Sequence, residues 1–148
     1  SKEASASFSH ENILKNTRLN MKIALIAHDG KKADMVAFVM KRLPFFNRED
    51  ISIVTTGTTG KTIEHAGVKG IEMVNSGPYG GDAEIAAMVT RGEIGAVIFF
   101  RDPLGKHPHE VDVSMLMRLC DVHQVPLATN YQSGHIFIKY LGLTDKKI

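Results

Sequence analysis

The chain has 148 residues, which is enough for one domain with a sizeable buried core. It is 43% hydrophobic and 23% charged, a balance that excludes a wholly disordered chain. A formal net charge of +2 excludes a strongly basic nucleic-acid binder, and apolar runs such as 96–100 are far shorter than the about 20 residues that span a membrane.

Residues 1–20 differ from the rest of the chain, because they are polar and serine-rich and carry no apolar period. We expect them to form a flexible N-terminal extension, followed by a single α/β domain over 21–148. The single cysteine, Cys120, cannot form an intramolecular disulfide, and it lies on a predicted helix face as a buried structural thiol. With no apolar signal segment, these features favour a cytoplasmic protein.

Short apolar strands alternate with amphipathic helices from Met21 onward. Strands are predicted at 23–27, 51–54, 71–74, 95–100 and 126–129. Helices are predicted at 31–43, 58–66, 82–90, 113–120 and 134–140. Met40 is expected on the apolar face of the first helix, and Pro44 is expected to end that helix. This alternation predicts a three-layer α/β/α fold around a mostly parallel five-stranded sheet.

Polar side chains follow every predicted strand at the point where it ends. These segments are 28–32 (HDGKK), 56–60 (TGTTG), 75–82 (NSGPYGGD), 101–112 (RDPLGKHPHEVD) and 129–130 (TN). In open α/β sheets, ligands bind beyond the carboxyl ends of the strands. Five polar loops at one edge favour an active site over a purely structural role.

The TGTTG segment has the composition of a phosphate cradle. Gly57 and Gly60 let a ligand approach the backbone, while Thr56, Thr58 and Thr59 offer hydroxyl donors at the start of a helix. Lys32 adds a cation, and Ser76 and Gly77 add a hydroxyl and an N–H group. The segment matches neither common nucleotide-binding glycine pattern. The alternative is an ordinary turn with a threonine cap, but the neighbouring polar loops favour the anion site.

Asp82 follows two glycines at the start of a predicted helix. It is equally well explained as a general base aimed into a cleft or as an ordinary N-cap residue. Asp29 likewise is either a second carboxylate of the cleft or a helix cap.

His109 shares its loop with Asp102 and Asp112, and a carboxylate-held imidazole can polarise a carbonyl group or exchange protons. The alternative for these histidines is a metal site, for which the candidates are His28, His107, His109 and Glu110. Their spacing matches no strong metal motif, so no metal is predicted.

Taken together and in order, these motifs resemble methylglyoxal synthase. The resemblance covers about 22–130, and its matching segments are 27–29 with Lys32, 56–60, 76–82, 99–104, 108–113 and 127–130. It implies conversion of dihydroxyacetone phosphate to methylglyoxal and inorganic phosphate, without metal or organic cofactor. It also implies a homohexamer inhibited allosterically by phosphate. From charge and the length of the apolar runs, neither nucleic acid nor a membrane is predicted as a partner.

The resemblance also implies a role for each site residue. Asp82 is the base that abstracts the proton, and His109 lies near the substrate carbonyl. His28 and Lys32 contact the substrate. The residues that hold its phosphate are Thr56, Gly57, Thr58, Thr59, Ser76 and Gly77, and the supporting carboxylates are Asp29, Asp102 and Asp112.

Two other classes of function stay open from the residues. One is a non-catalytic regulatory domain of the same fold that senses anions. The other is a phosphosugar isomerase or aldolase-type enzyme, because an isomerase of the same substrate also uses a carboxylate base and a neutral imidazole.

Overall fold

Five short strands form one wholly parallel sheet at the centre of the computed structural model, which describes residues 20–75, 80–105 and 113–145. The strands are β1 (Met21–Ala27), β2 (Ile51–Thr56), β3 (Ile71–Val74), β4 (Ala96–Phe100) and β5 (Leu127–Ala128). Their spatial order is β3-β2-β1-β4-β5. The predicted extension at 1–20 lies outside the described residues except for Asn20, so it stays a prediction.

Helices occupy the connections between the strands, and one further helix follows β5. They are α1 (Lys32–Met40), α2 (Leu43–Phe46), α3 (Gly57–His65), α4 (Gly81–Thr90), α5 (Val113–His123) and α6 (Tyr131–Asp145), and a 3-10 turn at Asp29–Lys31 precedes α1. In the described ranges, no helix is long and apolar enough to cross a membrane.

The sheet is covered on both faces because successive side chains of a strand point to opposite sides. Ile23 and Leu25 of β1 belong to a core shared with α1, α2, α3 and α6. Ala24 and Ile26 belong to a second core shared with α4 and α5. Each Ile, Leu or Phe buried in these cores contributes about 1.5–3 kcal/mol. The predicted three-layer α/β/α architecture is therefore confirmed.

Cys120 lies in the second core and is 1% exposed, as predicted for a structural thiol. Burial disfavours the charged thiolate and, with a smaller contribution from Asp121, raises the pKa of this thiol to about 11.

Three predictions about the helices were wrong. The first helix ends at Met40, and Pro44 is the second residue of the short helix α2, where its missing N–H is tolerated in the first turn. Met40 was predicted on the buried face but is 49% exposed, whereas Phe38 is fully buried. The last helix begins at Tyr131 and not at Gly134, because Asn130 accepts a hydrogen bond from the Ser133 N–H at its N-terminus.

The strand order places a switch point beside β1. The chain runs from β1 outward through β2 to β3 and then returns to build β4 on the opposite side of β1. The loops that leave β1 and β4 therefore diverge to opposite faces and open a crevice at their carboxyl ends.

Candidate active site

His28 follows β1 at this crevice, and its imidazole is held from two sides. The backbone N–H of Asp102 donates a 2.9 Å hydrogen bond to Nδ1 of His28. The ring also packs edge-on against Phe99, with the ring centroids 5.0 Å apart at 81°. Because Nδ1 accepts a hydrogen bond, the neutral imidazole carries its proton on Nε2. The buried Nε2 is therefore a hydrogen-bond donor.

Asp102 follows β4 and closes over the turn that follows β1. Its Oδ1 accepts a hydrogen bond of 3.2 Å from the Leu104 N–H. Its Oδ2 lies so close to Gly30 that a Cβ atom at that position would be 2.7 Å away. A glycine at position 30 is therefore what allows this carboxylate to lie beside the His28 loop.

Asp29 and Lys32 form an ion pair across the 3-10 turn, with 3.0 Å between Oδ1 and Nζ. The Asp29 side chain is 83% exposed, so it lies at the rim of the crevice. Lys32 lines a cavity of about 410 Å³ between α1 and α3, together with Thr59 and Thr62. Asp29 thus holds the ammonium group of Lys32 near the TGTTG segment.

The TGTTG segment forms the passage from β2 into α3. Thr56 is the N-cap residue, but its side chain makes no capping hydrogen bond, so the threonine-cap alternative is wrong at this residue. Gly57 has a φ of +54°, in the left-handed region that favours glycine. Gly60 has no room for a Cβ atom, which would meet the Thr55 hydroxyl and, at 2.5 Å, Met73 Cγ.

Thr59 places a buried hydroxyl at this helix start. It is 3% exposed, and within the described part of the chain its Oγ1 has no hydrogen-bond partner. An isolated buried hydroxyl is unfavourable, whereas the first N–H groups of a nine-residue helix favour an anion. The backbone of Gly57, Thr58 and Thr59 and the Thr59 hydroxyl can therefore serve an anion together; the Thr58 side chain lies outside the described residues.

Asp82 is the second residue of α4 and is half-buried. The N-cap residue of this helix is Gly80, at a φ of +90°, so the alternative of an N-cap aspartate is wrong. Gly81 lies directly on the carbonyl oxygen of Asn75, and a Cβ atom there would also be 3.2 Å from Thr56 Cγ2. The α4 start, with Asp82, is thereby packed against the ends of β2 and β3.

Sequence reasoning missed Glu84, which fixes the end of β3 to α4. Glu84 Oε1 accepts a 2.8 Å hydrogen bond from Asn75 Nδ2, and its Oε2 accepts a longer one from the Asn75 backbone N–H. The only signal in the sequence is a glutamate in the first turn of a helix that follows Asn75, which by itself names no partner.

Several predicted site residues lie outside the described residues, and their placement stays a prediction. They are Ser76, Gly77, His107, His109, Glu110 and Asp112. Within the part of the chain that the structure describes, no group of three or more His, Cys, Asp or Glu residues is arranged to hold a metal ion.

Comparison with known proteins gives one consistent result. The family model of the MGS-like domain matches residues 34–129. The methylglyoxal synthase of Geobacillus sp. (strain WCH70) is 55% identical over 125 residues, covering 84% of this chain and 88% of that protein. The methylglyoxal synthase of Carboxydothermus hydrogenoformans is 53% identical over 123 residues, covering 82% and 99%.

The fold gives the same result as the sequence. The crystal structure of methylglyoxal synthase from Elizabethkingia anophelis NUHP1 aligns with a TM-score of 0.74 and 39% identity, covering 80% of this chain and 76% of that chain. The resemblance drawn from the motifs is confirmed by both kinds of comparison. The chain belongs to the methylglyoxal synthase family.

Proposed function

We propose that this chain converts dihydroxyacetone phosphate into methylglyoxal and inorganic phosphate. The observation that carries the proposal is the presence of three groups at one sheet edge. These groups are the half-buried carboxylate of Asp82, the Nε2–H group of His28 and the N-terminus of α3 with the buried Thr59 hydroxyl. Each group matches one requirement of the reaction: a base, a donor to a developing oxyanion and a site for phosphate.

The substrate phosphate binds at the start of α3 in this proposal. The backbone N–H groups of 57–59 and the Thr59 hydroxyl donate hydrogen bonds, and Lys32 supplies a positive charge. Ser76 and Gly77 complete the cradle by analogy with the family. Because the first N–H groups of a helix have no intrahelical partners, anion binding there requires no rearrangement of the backbone.

Asp82 takes a proton from the hydroxymethyl carbon beside the ketone, and the electron pair of that C–H bond forms an enediolate. The Nε2–H group of His28 and the imidazole of His109 donate hydrogen bonds to the oxygen on which negative charge develops. The C–O bond to phosphate then breaks, and the phosphate leaves with the electron pair. The resulting enol takes up a proton at its methylene carbon and loses the proton of its hydroxyl group, which gives methylglyoxal. No metal or organic cofactor takes part in this proposal.

The deciding experiment is to measure both products from dihydroxyacetone phosphate. We expect methylglyoxal and inorganic phosphate in equal amounts, and at least about a hundredfold slower formation of both by Asp82→Asn. Formation of glyceraldehyde 3-phosphate without phosphate release would identify an isomerase instead. Phosphate binding without turnover would identify a regulatory domain.

The chain is proposed to act as a cytoplasmic homohexamer, at a branch from glycolysis, with phosphate as an allosteric inhibitor. Exposed apolar side chains in the described ranges support burial between subunits: Met40, Met73, Met117, Val122, Ile136 and Tyr140. Sedimentation equilibrium should give about six times the 16.3 kDa chain mass. A monomeric mass at micromolar concentration would contradict the assembly, and a hyperbolic phosphate inhibition curve would contradict the allostery.

A further inference from the structure

A second, smaller cavity lies on the other side of the 3-10 turn from the phosphate cradle. Its volume is about 60 Å³, and its lining residues are Lys31, Asp34, Phe100, Arg101, Asn130 and Tyr131. Lys32, which directly follows the turn, lines the larger cavity, whereas Lys31, the last residue of the turn, lines the smaller one. The two cavities share no lining residue, so the smaller one is a separate feature of the surface.

Two cations from different elements line this cavity. Arg101 follows β4, and its backbone N–H bonds to the Thr129 carbonyl at 3.3 Å. Among residues 20–75, 80–105 and 113–145, the Arg101 guanidinium makes no ion pair and no hydrogen bond, so none of its five donors is used by these residues. Lys31 is partly balanced by Asp34, whose carboxylate lies 3.8 Å from Nζ in an exposed pair. The lining thus keeps a net positive charge.

The start of α6 adds neutral donors to the same cavity. Asn130 uses Oδ1 to accept a hydrogen bond from the Ser133 N–H at 3.0 Å, which leaves its amide NH₂ group as a donor. α6 begins at the next residue and is 15 residues long, so its positive end also faces this region. Three residues that carry guanidinium, ammonium and amide donors therefore line one small concave space.

We propose that this cavity is a second anion site, distinct from the active site, that binds a small free oxyanion such as inorganic phosphate. Its volume of about 60 Å³ is several times the roughly 10–15 Å³ that one water needs. That is room for a tetrahedral oxyanion but little room for an attached carbon chain. Arg101 is the principal ligand, because a planar guanidinium binds phosphate with two parallel hydrogen bonds.

The test is a titration of the deuterated, ¹⁵N-labelled full chain with inorganic phosphate, followed in backbone amide spectra. We expect two saturable sets of shifts, one at 57–59 and one at Arg101, Asn130 and Tyr131. Arg101→Gln should weaken the second set at least tenfold and leave the first unchanged. The matched control is Arg91→Gln, since Arg91 is paired with Glu93 just before the start of β4, at the opposite end of the strand from Arg101.

Glycerol 3-phosphate, added in a parallel titration, separates free phosphate from its esters. We expect it to shift the amides at 57–59 and to leave those at Arg101 and Asn130 unmoved. The proposal is overturned if phosphate moves only the first set, if Arg101→Gln leaves both sets unchanged, or if the ester binds both sites equally well. Since the readout is binding and not turnover, the result is independent of the proposed reaction.

Discussion

The backbone N–H of Asp102 donates a 2.9 Å hydrogen bond to Nδ1 of His28. A peptide N–H can only donate, so this contact selects the imidazole tautomer with its proton on Nε2. Asp102 therefore acts on the site through its main chain as well as through its carboxylate. A substitution at position 102 that keeps the backbone in place should keep the tautomer.

We expect nuclear magnetic resonance to detect His28 as the Nε2–H tautomer. A long-range ¹H–¹⁵N correlation spectrum should show Nδ1 at the shift of an unprotonated nitrogen and Nε2 at that of a protonated one. The Asp102→Asn variant should give the same pattern, because its peptide N–H is retained. The opposite tautomer in the unmodified protein would contradict this account of the site.

His28→Gln should retain more activity than His28→Asn. The glutamine amide nitrogen reaches close to the position of Nε2, whereas the asparagine amide reaches only the position of Nδ1. Loss of a donor to a developing oxyanion typically lowers turnover by about 10²–10³-fold, which we expect in kcat for His28→Asn. Steady-state kinetics with dihydroxyacetone phosphate measure both variants, and equal losses would argue against a donor role for Nε2.

Asp82→Asn should lower kcat by about 10²–10⁴-fold, the usual contribution of a positioned general base. The substitution removes the basic oxygen at nearly constant size, and Gly80 rather than Asp82 caps α4, so the fold should be retained. Asp121→Asn on the exposed surface of α5 is the matched control. Turnover and circular dichroism on both variants give the comparison, and normal turnover in Asp82→Asn would refute the assignment.

Thr59→Val should weaken phosphate binding without destabilising the empty protein. The Thr59 hydroxyl is buried without a hydrogen-bond partner in the described residues, so replacing it with a methyl group loses no internal bond. We expect about tenfold weaker phosphate binding, equivalent to about 1.4 kcal/mol, and unchanged or higher stability. Calorimetric titration and urea unfolding test the two parts, and a large loss of stability would mean that the hydroxyl has a structural partner.

Gly81→Ala should destabilise the protein by more than about 2 kcal/mol, since overpacking against fixed atoms typically costs about 1–3 kcal/mol. A Cβ atom at this position meets the Asn75 carbonyl, a backbone atom that cannot rotate away. Gly142→Ala in α6 is the control. Among the described residues, no atom outside the neighbouring helix backbone lies within 4 Å of a Cβ there, and the helix should gain about 0.5–1 kcal/mol. Equal stability of the two variants in urea unfolding would contradict the close contact.

Cys120 should resist thiol reagents in the folded protein. A pKa near 11 instead of 9.0 means about a hundredfold less thiolate at pH 8, and the thiolate is the reactive form. Since the folded state favours the neutral thiol, its contribution to stability is full below pH 9 and falls as the pH rises from 9 toward 11. Labelling with iodoacetamide at pH 8, native against urea-unfolded, checks this, and fast native labelling would contradict it.

Much of the fold could be predicted because strand and helix periods are local properties. The predicted and observed ranges of β3 are identical, and the burial of Cys120 was predicted from the apolar period of α5. The prediction for Pro44 was wrong because proline is common both just after a helix and in the first turn of the next helix. The sequence alone does not show which of these two positions Pro44 occupies. The burial of Phe38 was not predicted because the apolar face of a helix is broad, so several neighbouring residues of α1 fit the same pattern.

The details of the site depend on which strands are neighbours, and that is not a local property. The hydrogen bond between Asp102 and His28 exists only because β4 lies beside β1, across a sequence separation of 74 residues. The contact of Arg42 with His135, at 2.7 Å, likewise joins parts of the chain that no motif connects. Residue types at strand ends were predictable from the sequence, whereas their partners were not.

The central position of β1 also bears on how the polypeptide is made. β1 needs two partners, and the second, β4, begins only at Ala96. While a ribosome is still synthesising that stretch, the emerging half of the sheet exposes an apolar strand edge, which is a template for mispairing with other nascent chains. Efficient production of this protein should therefore depend on rapid synthesis of β4, or on a chaperone that covers the open edge of β1 until β4 pairs with it.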